Sequence, residues 1–403
     1  MEPLTLMVGL GALAGGVVMG FFMARGSRPS RALPTDVALQ LQRLTQEVEE
    51  QRKKYEALPN LLASLSSVQE PDKLYASIAF VTKEQLNSEF SALFLRQDKD
   101  FVIRAAEGLS DESVRTLRLP LKEGLVRYIM ETNWPVRMGR SDRQMSLFRS
   151  LREGFQEVML APLRTGGDVF GLLLVANRVH GTYSQSDLHL ISYLCVPFSL
   201  AIHNASVFGM ARRTVTDTLI EVARQVEERD PYARGHSARV ADLAVKVGRA
   251  LKLSAKDLEV LNIAARLHDL GKLALPLELW NKPGAFNEAE MEIMKSHPQR
   301  AVDLLKPLGY LDRALPLILY HHERYDGSGY PFALRGSAIP VGATIIGMAE
   351  MFDSLLHDRP HRKALTVQQA LETMSQSSGT AFDPKLLRPF LQVVEKEIVK
   401  VSG

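Results

Sequence analysis

The first strong hydrophobic signal is an uncharged run, Leu4 to Met23, about as long as one bilayer-spanning helix. Arg25, Arg28 and Arg31 follow it and only Glu2 precedes it, so the positive-inside tendency puts the short N-terminus outside and the rest in the cytoplasm. Basic residues after the run favour an anchor over a cleaved signal peptide. The expectation is a single-pass protein of the inner (cytoplasmic) membrane, anchored by residues 1–24. In residues 25–58, Val37, Leu41, Leu44, Val48, Tyr55 and Leu58 alternate in steps of four and three, with polar Gln51 at one seam position. That spacing predicts a short parallel coiled coil and a homodimer; one amphipathic helix packed on the next domain is the alternative.

Between residues 59 and 205 short apolar runs of strand length replace the heptads: "SALFLR", "FVIRAAE", "EVMLAPLR" and "VFGLLLVANR". "TGGD" between the last two predicts a hairpin turn, Ser184 a helix cap, and Pro197 a bend in the helix that follows. Strands with flanking helices predict an α+β domain. From 206 to 403 helical periods dominate, as in "VTDTLIEVARQVEE" and "SARVADLAVKVGRALKL", predicting an all-α domain. The fold class is therefore multi-domain, with a transmembrane helix and coiled coil ahead of an α+β and an all-α domain.

Composition changes little. A net charge of +3 over 403 residues gives no basic coat for polymeric nucleic acid, and the single Cys195 allows no intramolecular disulfide, which fits a reducing compartment. Chemistry concentrates in the helical half, which holds seven of the ten histidines. Neighbouring helix residues point about 100° apart, so His268 with Asp269, and His321 with His322, are suited to straddle two ions rather than grip one. An Asp bridging ions about 3.5–4 Å apart, with imidazoles at the outer positions, describes a two-metal centre. Mixed imidazole and carboxylate donors suit iron, manganese or zinc. Lys272, one turn beyond His268, is placed to stabilise a phosphate oxygen, although alone it would read as a surface lysine.

Two resemblances sharpen this. "EGLVRYIMETNWPVRM", "APLRTGGDVFGLLLVANR" and "AIHNASVF" make residues 59–205 resemble a GAF domain, which implies a small-molecule effector or a dimerising role. "GHSARV", "RLHDLGKL" and "HHERYDGSGYP" resemble the HD-GYP family of the HD phosphohydrolase superfamily over about residues 207–400. That resemblance implies an all-α domain with a two- or three-metal centre that hydrolyses cyclic di-GMP to linear pGpG or on to GMP. With the expected anchor and donor set, the reading is a membrane-anchored, metal-dependent phosphodiesterase with two divalent ions, iron or manganese. Carried over by position, the metal ligands are His236, His268, Asp269, His297, His321, His322 and Glu350. Asp269 and Lys272 are implied to be catalytic. Lys272, Arg359, Arg362, Gly329 and Tyr330 are implied to meet the substrate, and the "DGSGYP" loop to dock other signalling domains.

The sequence departs from the family pattern at several positions. Glu350, in "AEMFDSL", stands where an Asp is usual, and its added methylene exceeds the displacement of about 0.2 Å that ligand bonds tolerate. This gives the alternative reading: a catalytically impaired cyclic dinucleotide receptor or scaffold. His361 replaces a Tyr and Thr344 an Arg. Tyr232 stands where some relatives place a third-metal Glu, which argues for two ions. The sequence identifies no residue that reads a base edge, so another substrate, such as a hybrid cyclic dinucleotide, is the remaining alternative to cyclic di-GMP.

Overall fold

The structure, a computed structural model, describes residues 70–402 except Ser150, Pro231, Asn281, Pro283 and residues 359–361. The expected transmembrane helix and coiled coil lie outside the described residues. The chain divides into two compact units, the second starting at Ser206.

The first unit follows the order α1 (Pro71–Gln85), β1 (Ser88–Gln97), β2 (Asp100–Glu107), α2 (Asp111–Thr116), β3 (Arg118–Pro120), α3 (Gly124–Thr132), β4 (Val136–Gly139), β5 (Glu157–Thr165) and β6 (Asp168–Arg178). The strands form one antiparallel sheet ordered β3-β2-β1-β6-β5-β4. Side chains on a strand alternate between faces, and here both faces are covered, which explains the almost unbroken apolar runs. Leu93, Met159, Ala161, Leu173 and Val175 join the α1 side. Ala92, Phe94, Val158, Leu160, Leu172 and Leu174 pack on the other face with Phe101, Phe148 and Phe155. The "TGGD" turn is a hairpin in which Thr165 pairs with Asp168 across Gly166 and Gly167, both at positive φ.

Helix α4 (Gln185–Glu227) follows. The Ser184 Oγ accepts from the Asp187 N–H at 3.2 Å, and Pro197 lies inside the helix without ending it. Leu190, Ile191, Leu194, Cys195 and Phe198 enter the first core, and burial pushes the Cys195 thiol pKa up. By length and composition α4 could cross a membrane, which for a single helix is weak evidence of a span, and 44% of its most apolar window is buried inside the protein.

The second unit is helical: α5 (His236–Ala250), α6 (Ala255–Leu267), α7 (Leu277–Trp280), α8 (Glu288–Lys295), α9 (His297–Leu305), α10 (Leu315–Leu319), α11 (Val341–Leu356), α12 (Val367–Gln376) and α13 (Pro384–Ser402). Ser254 caps α6, and Asn287 with Glu290 and Thr366 with Gln369 form capping boxes on α8 and α12. The core draws on Val240, Ala244 and Val247 of α5, Leu261, Ala264 and Ala265 of α6, Ala301 and Leu305 of α9, and Ile345, Ile346 and Ala349 of α11. Small alanines let these helices approach closely, so their ends converge on one point.

Candidate metal centre

The convergence is made by helix ends. His236 opens α5, His268 caps the end of α6, and His297 opens α9. His321 and His322 follow α10, while Glu350 lies within α11. This corrects the expectation that the paired residues project from one helix: α6 ends at Leu267 and α10 at Leu319, and the turns beyond them aim the side chains.

Two glycines permit the approach. Gly271 lies in the 3₁₀ turn Leu270–Ala274, where a Cβ would fall 2.0 Å from the His297 carbonyl oxygen, so only glycine lets α9 sit against that turn. Gly347 of α11 rests on the His321 carbonyl, which a Cβ would meet at 2.4 Å. Glu350, one turn further, thereby brings its carboxylate to 3.6 Å from His322 Nε2 and 3.9 Å from His321 Nε2. The longer side chain of Glu350 reaches the cluster rather than missing it.

Hydrogen bonds fix the imidazoles. The Nδ1–H of His268 donates to the Ala265 carbonyl at 2.7 Å, that of His297 to Met294 at 2.8 Å, and that of His321 to Ile318 at 2.6 Å. A carbonyl only accepts, so each hydrogen is on Nδ1 and each Nε2 keeps its lone pair. Burial pushes the pKa values of His297, His321 and His322 down, His321 to about 4, so these rings are neutral at neutral pH. Asp269 reaches two ways, with Oδ2 3.4 Å from His268 Nε2 and Oδ1 3.3 Å from His297 Nε2. Lys272 Nζ donates to Asp269 Oδ2 at 2.6 Å. Burial alone would raise the Asp269 pKa, but Lys272 and the imidazoles outweigh it and hold the carboxyl well below the usual range.

The donor set fits divalent metal. His236, His268 and Glu350 offer atoms within 4.8 Å of one another, as do His297, His321 and His322, and as do His268, Asp269 and His321. His268 Nε2 and Asp269 Oδ1 are buried without a hydrogen-bond partner among the described residues. Native structures rarely leave such atoms orphaned without an unseen ion or water.

Sequence reasoning missed Asp353. It accepts from His236 Nδ1 at 2.7 Å, from Arg239 Nε at 2.6 Å and from Arg239 Nη2 at 3.0 Å. Burial opposes its ionisation, yet these donors lower its pKa to about 2. The available signal was the second acidic residue of "AEMFDSL", one turn after Glu350.

Beside the cluster lies a cavity of about 280 Å³ whose lining includes His321, His322, Arg324, Gly329, Tyr330 and Glu350. The Tyr330 ring stacks on His322, with centroids 4.6 Å apart and planes at 27°. Burial, reinforced by Glu350 and Asp269, pushes the Tyr330 pKa up, so its hydroxyl stays a donor. Glu323 pins the loop by accepting from the Phe332 N–H at 2.7 Å and the Leu334 N–H at 2.9 Å. Arg362 departs from expectation. Its guanidinium donates to the carbonyls of Ser354, Leu355 and Lys363 and is not part of the cavity lining. Arg359 and His361 lie outside the described residues, and Tyr232 is 40% exposed.

The two units match different families: residues 69–203 match the GAF domain and residues 222–386 the HD domain. The "cyclic di-GMP phosphodiesterase response regulator RpfG" of Xanthomonas campestris pv. campestris is 39% identical over 180 residues, which are 44% of this chain and 47% of that protein. A "cyclic di-GMP phosphodiesterase" of Thermotoga maritima is 32% identical over 186 residues, 45% of this chain and 50% of the relative. The "3'3'-cGAMP-specific phosphodiesterase 2" of Vibrio cholerae is 29% identical over 211 residues, 52% of this chain and 40% of the relative. The chain thus spans about half or less of the length of these curated relatives.

Proposed function

We propose that the helical unit is a metal-dependent phosphodiesterase for cyclic dinucleotides, acting on cyclic di-GMP to give linear pGpG. The observation that carries the proposal is the pair of orphaned buried atoms, His268 Nε2 and Asp269 Oδ1, inside a cluster of imidazoles and carboxylates. His236, His268 and Glu350 would hold one ion, His297, His321 and His322 a second, and Asp269 would reach both. Bound divalent ions would supply Lewis acidity toward phosphate oxygens and lower the pKa of a water, work that suits iron or manganese in this donor set.

The chain's own residues do the rest. Lys272, held by Asp269, presents a cation where negative charge develops on phosphate. Tyr330 forms a wall of the cavity against His322 and offers a hydroxyl donor. Glu350 within reach of the imidazoles favours turnover over the receptor reading. The relatives include proteins named for cyclic di-GMP and for 3'3'-cGAMP, so both substrates belong in the assay. The full-length chain loaded with manganese or iron should yield linear dinucleotide. Faster turnover of 3'3'-cGAMP would reassign the substrate, and binding without product would favour the receptor.

Anchoring through Leu4–Met23 rests on the sequence alone. A homodimer has a further support in α4, where Tyr193, Val196, Leu200, Val207 and Met210 are exposed and recur in steps of three, four, seven and three. For the first unit, the match of residues 69–203 to the GAF domain supports a small-molecule effector.

A further inference from the structure

The imidazoles are not held alike. His268, His297 and His321 each give the Nδ1 hydrogen to a neutral backbone carbonyl, whereas His236 gives it to the carboxylate of Asp353. Asp353 is itself fixed: Arg239 grips both of its oxygens in a two-pronged pair, and the His357 Nδ1–H donates to its backbone carbonyl at 2.8 Å. His236 is 3% exposed and Asp353 7%, so water competes little for this contact.

A carboxylate behind a ligand imidazole fixes its tautomer and orientation and strengthens the opposite nitrogen as a donor. The partner charge of Arg239 offsets part of the Asp353 charge, but its fork holds the carboxylate plane on His236. His236, which Asp353 backs, groups with His268 and Glu350, and His297 groups with His321 and His322. Glu350 also lies 3.6 Å from His322 Nε2 and 3.9 Å from His321 Nε2, so it faces both halves and the Asp353 contact alone sets them apart. Asp269 faces both halves and favours neither.

We propose that Asp353 is a positioning residue that makes the two halves of the centre unequal, so that His236, His268 and Glu350 take the first divalent ion and His297, His321 and His322 the second. This rests on the two-ion reading above. A consequence is a range of metal concentration in which the chain carries one ion and lacks the complete centre.

The test is calorimetric titration of Mn²⁺ into the metal-stripped, full-length chain. The wild type should bind in two steps of different affinity. Asp353→Asn should weaken the tighter step about 10- to 100-fold, while the weaker step stays at its wild-type value. The variant should unfold earlier, since it loses a buried ion pair, but remain folded at the titration temperature. His297→Ala should remove the weaker step alone. If Asp353→Asn fails to fold, Arg239→Gln is read in its place, since it frees Asp353 without removing the carboxylate and should weaken the same step. Two equal steps in the wild type, an unchanged tight step in the folded Asn variant, or equal loss of both steps would each overturn the assignment. A wild type that binds no Mn²⁺ would instead overturn the two-ion centre itself, so the two failures are told apart.

Discussion

His268 Nε2 and Asp269 Oδ1 carry the residue-scale account. A buried polar atom without a partner costs about 1–3 kcal/mol, and here two such atoms lie beside each other in a site rich in ligand groups. Asp269→Asn keeps the volume and removes the charge shared between the halves; it should lose bound metal and reduce turnover to background, read by metal analysis and product formation. Lys272→Ala should lower kcat by about 10²–10³-fold, the usual loss of one preorganised donor, with the ion count unchanged. The metal-stripped chain has a defined pH response. His321 titrates at about 4 when folded against 6.5 when free, so between those values the unfolded chain binds more protons. Stability should be level above about pH 6.5 and fall toward pH 4, by about 3 kcal/mol from this group. The unfolding midpoint of stripped protein against pH checks this, and a flat profile from pH 7 to 5 would contradict it. The histidines and Asp269 were legible in the sequence because their types and pairing are unusual. Asp353 was not, because its partner His236 lies 117 residues earlier in the chain. Arg362, expected from the resemblance to meet the substrate, donates to three backbone carbonyls, since a guanidinium suits carbonyls as well as phosphate.

At the scale of elements, the ligands sit at helix ends because two glycines let backbones touch. Gly271→Ala forces α9 off the turn that carries Lys272 and should destabilise the protein by about 1–3 kcal/mol, with loss of metal affinity. Gly209→Ala in α4 meets nothing within 4 Å and should instead be neutral or stabilising by up to about 1 kcal/mol. Thermal unfolding of the two variants separates close approach from helix propensity. The four long strands were readable from their apolar runs and the hairpin from "TGGD", since both are local signals; β3 and β4, of three and four residues, carry too short a run to read. Which helix ends meet was not readable, because a period of 3.6 marks the buried face of a helix but not the neighbour that buries it.

At the scale of the whole molecule, the chain joins an α+β unit to a helical unit through the residues of α4. If the exposed α4 residues mediate a homodimer, Leu200→Glu with Val207→Glu should convert full-length dimer to monomer in light scattering while leaving metal content unchanged. The central claim is that the helical unit uses a two-ion centre to cleave a cyclic dinucleotide. Its most direct measurement takes the manganese- or iron-loaded full-length chain and records ions per chain together with linear product from cyclic di-GMP. The account expects about two ions and steady formation of pGpG, both lost in Asp269→Asn; fewer than one ion per chain, or no product from the loaded wild type, would contradict it.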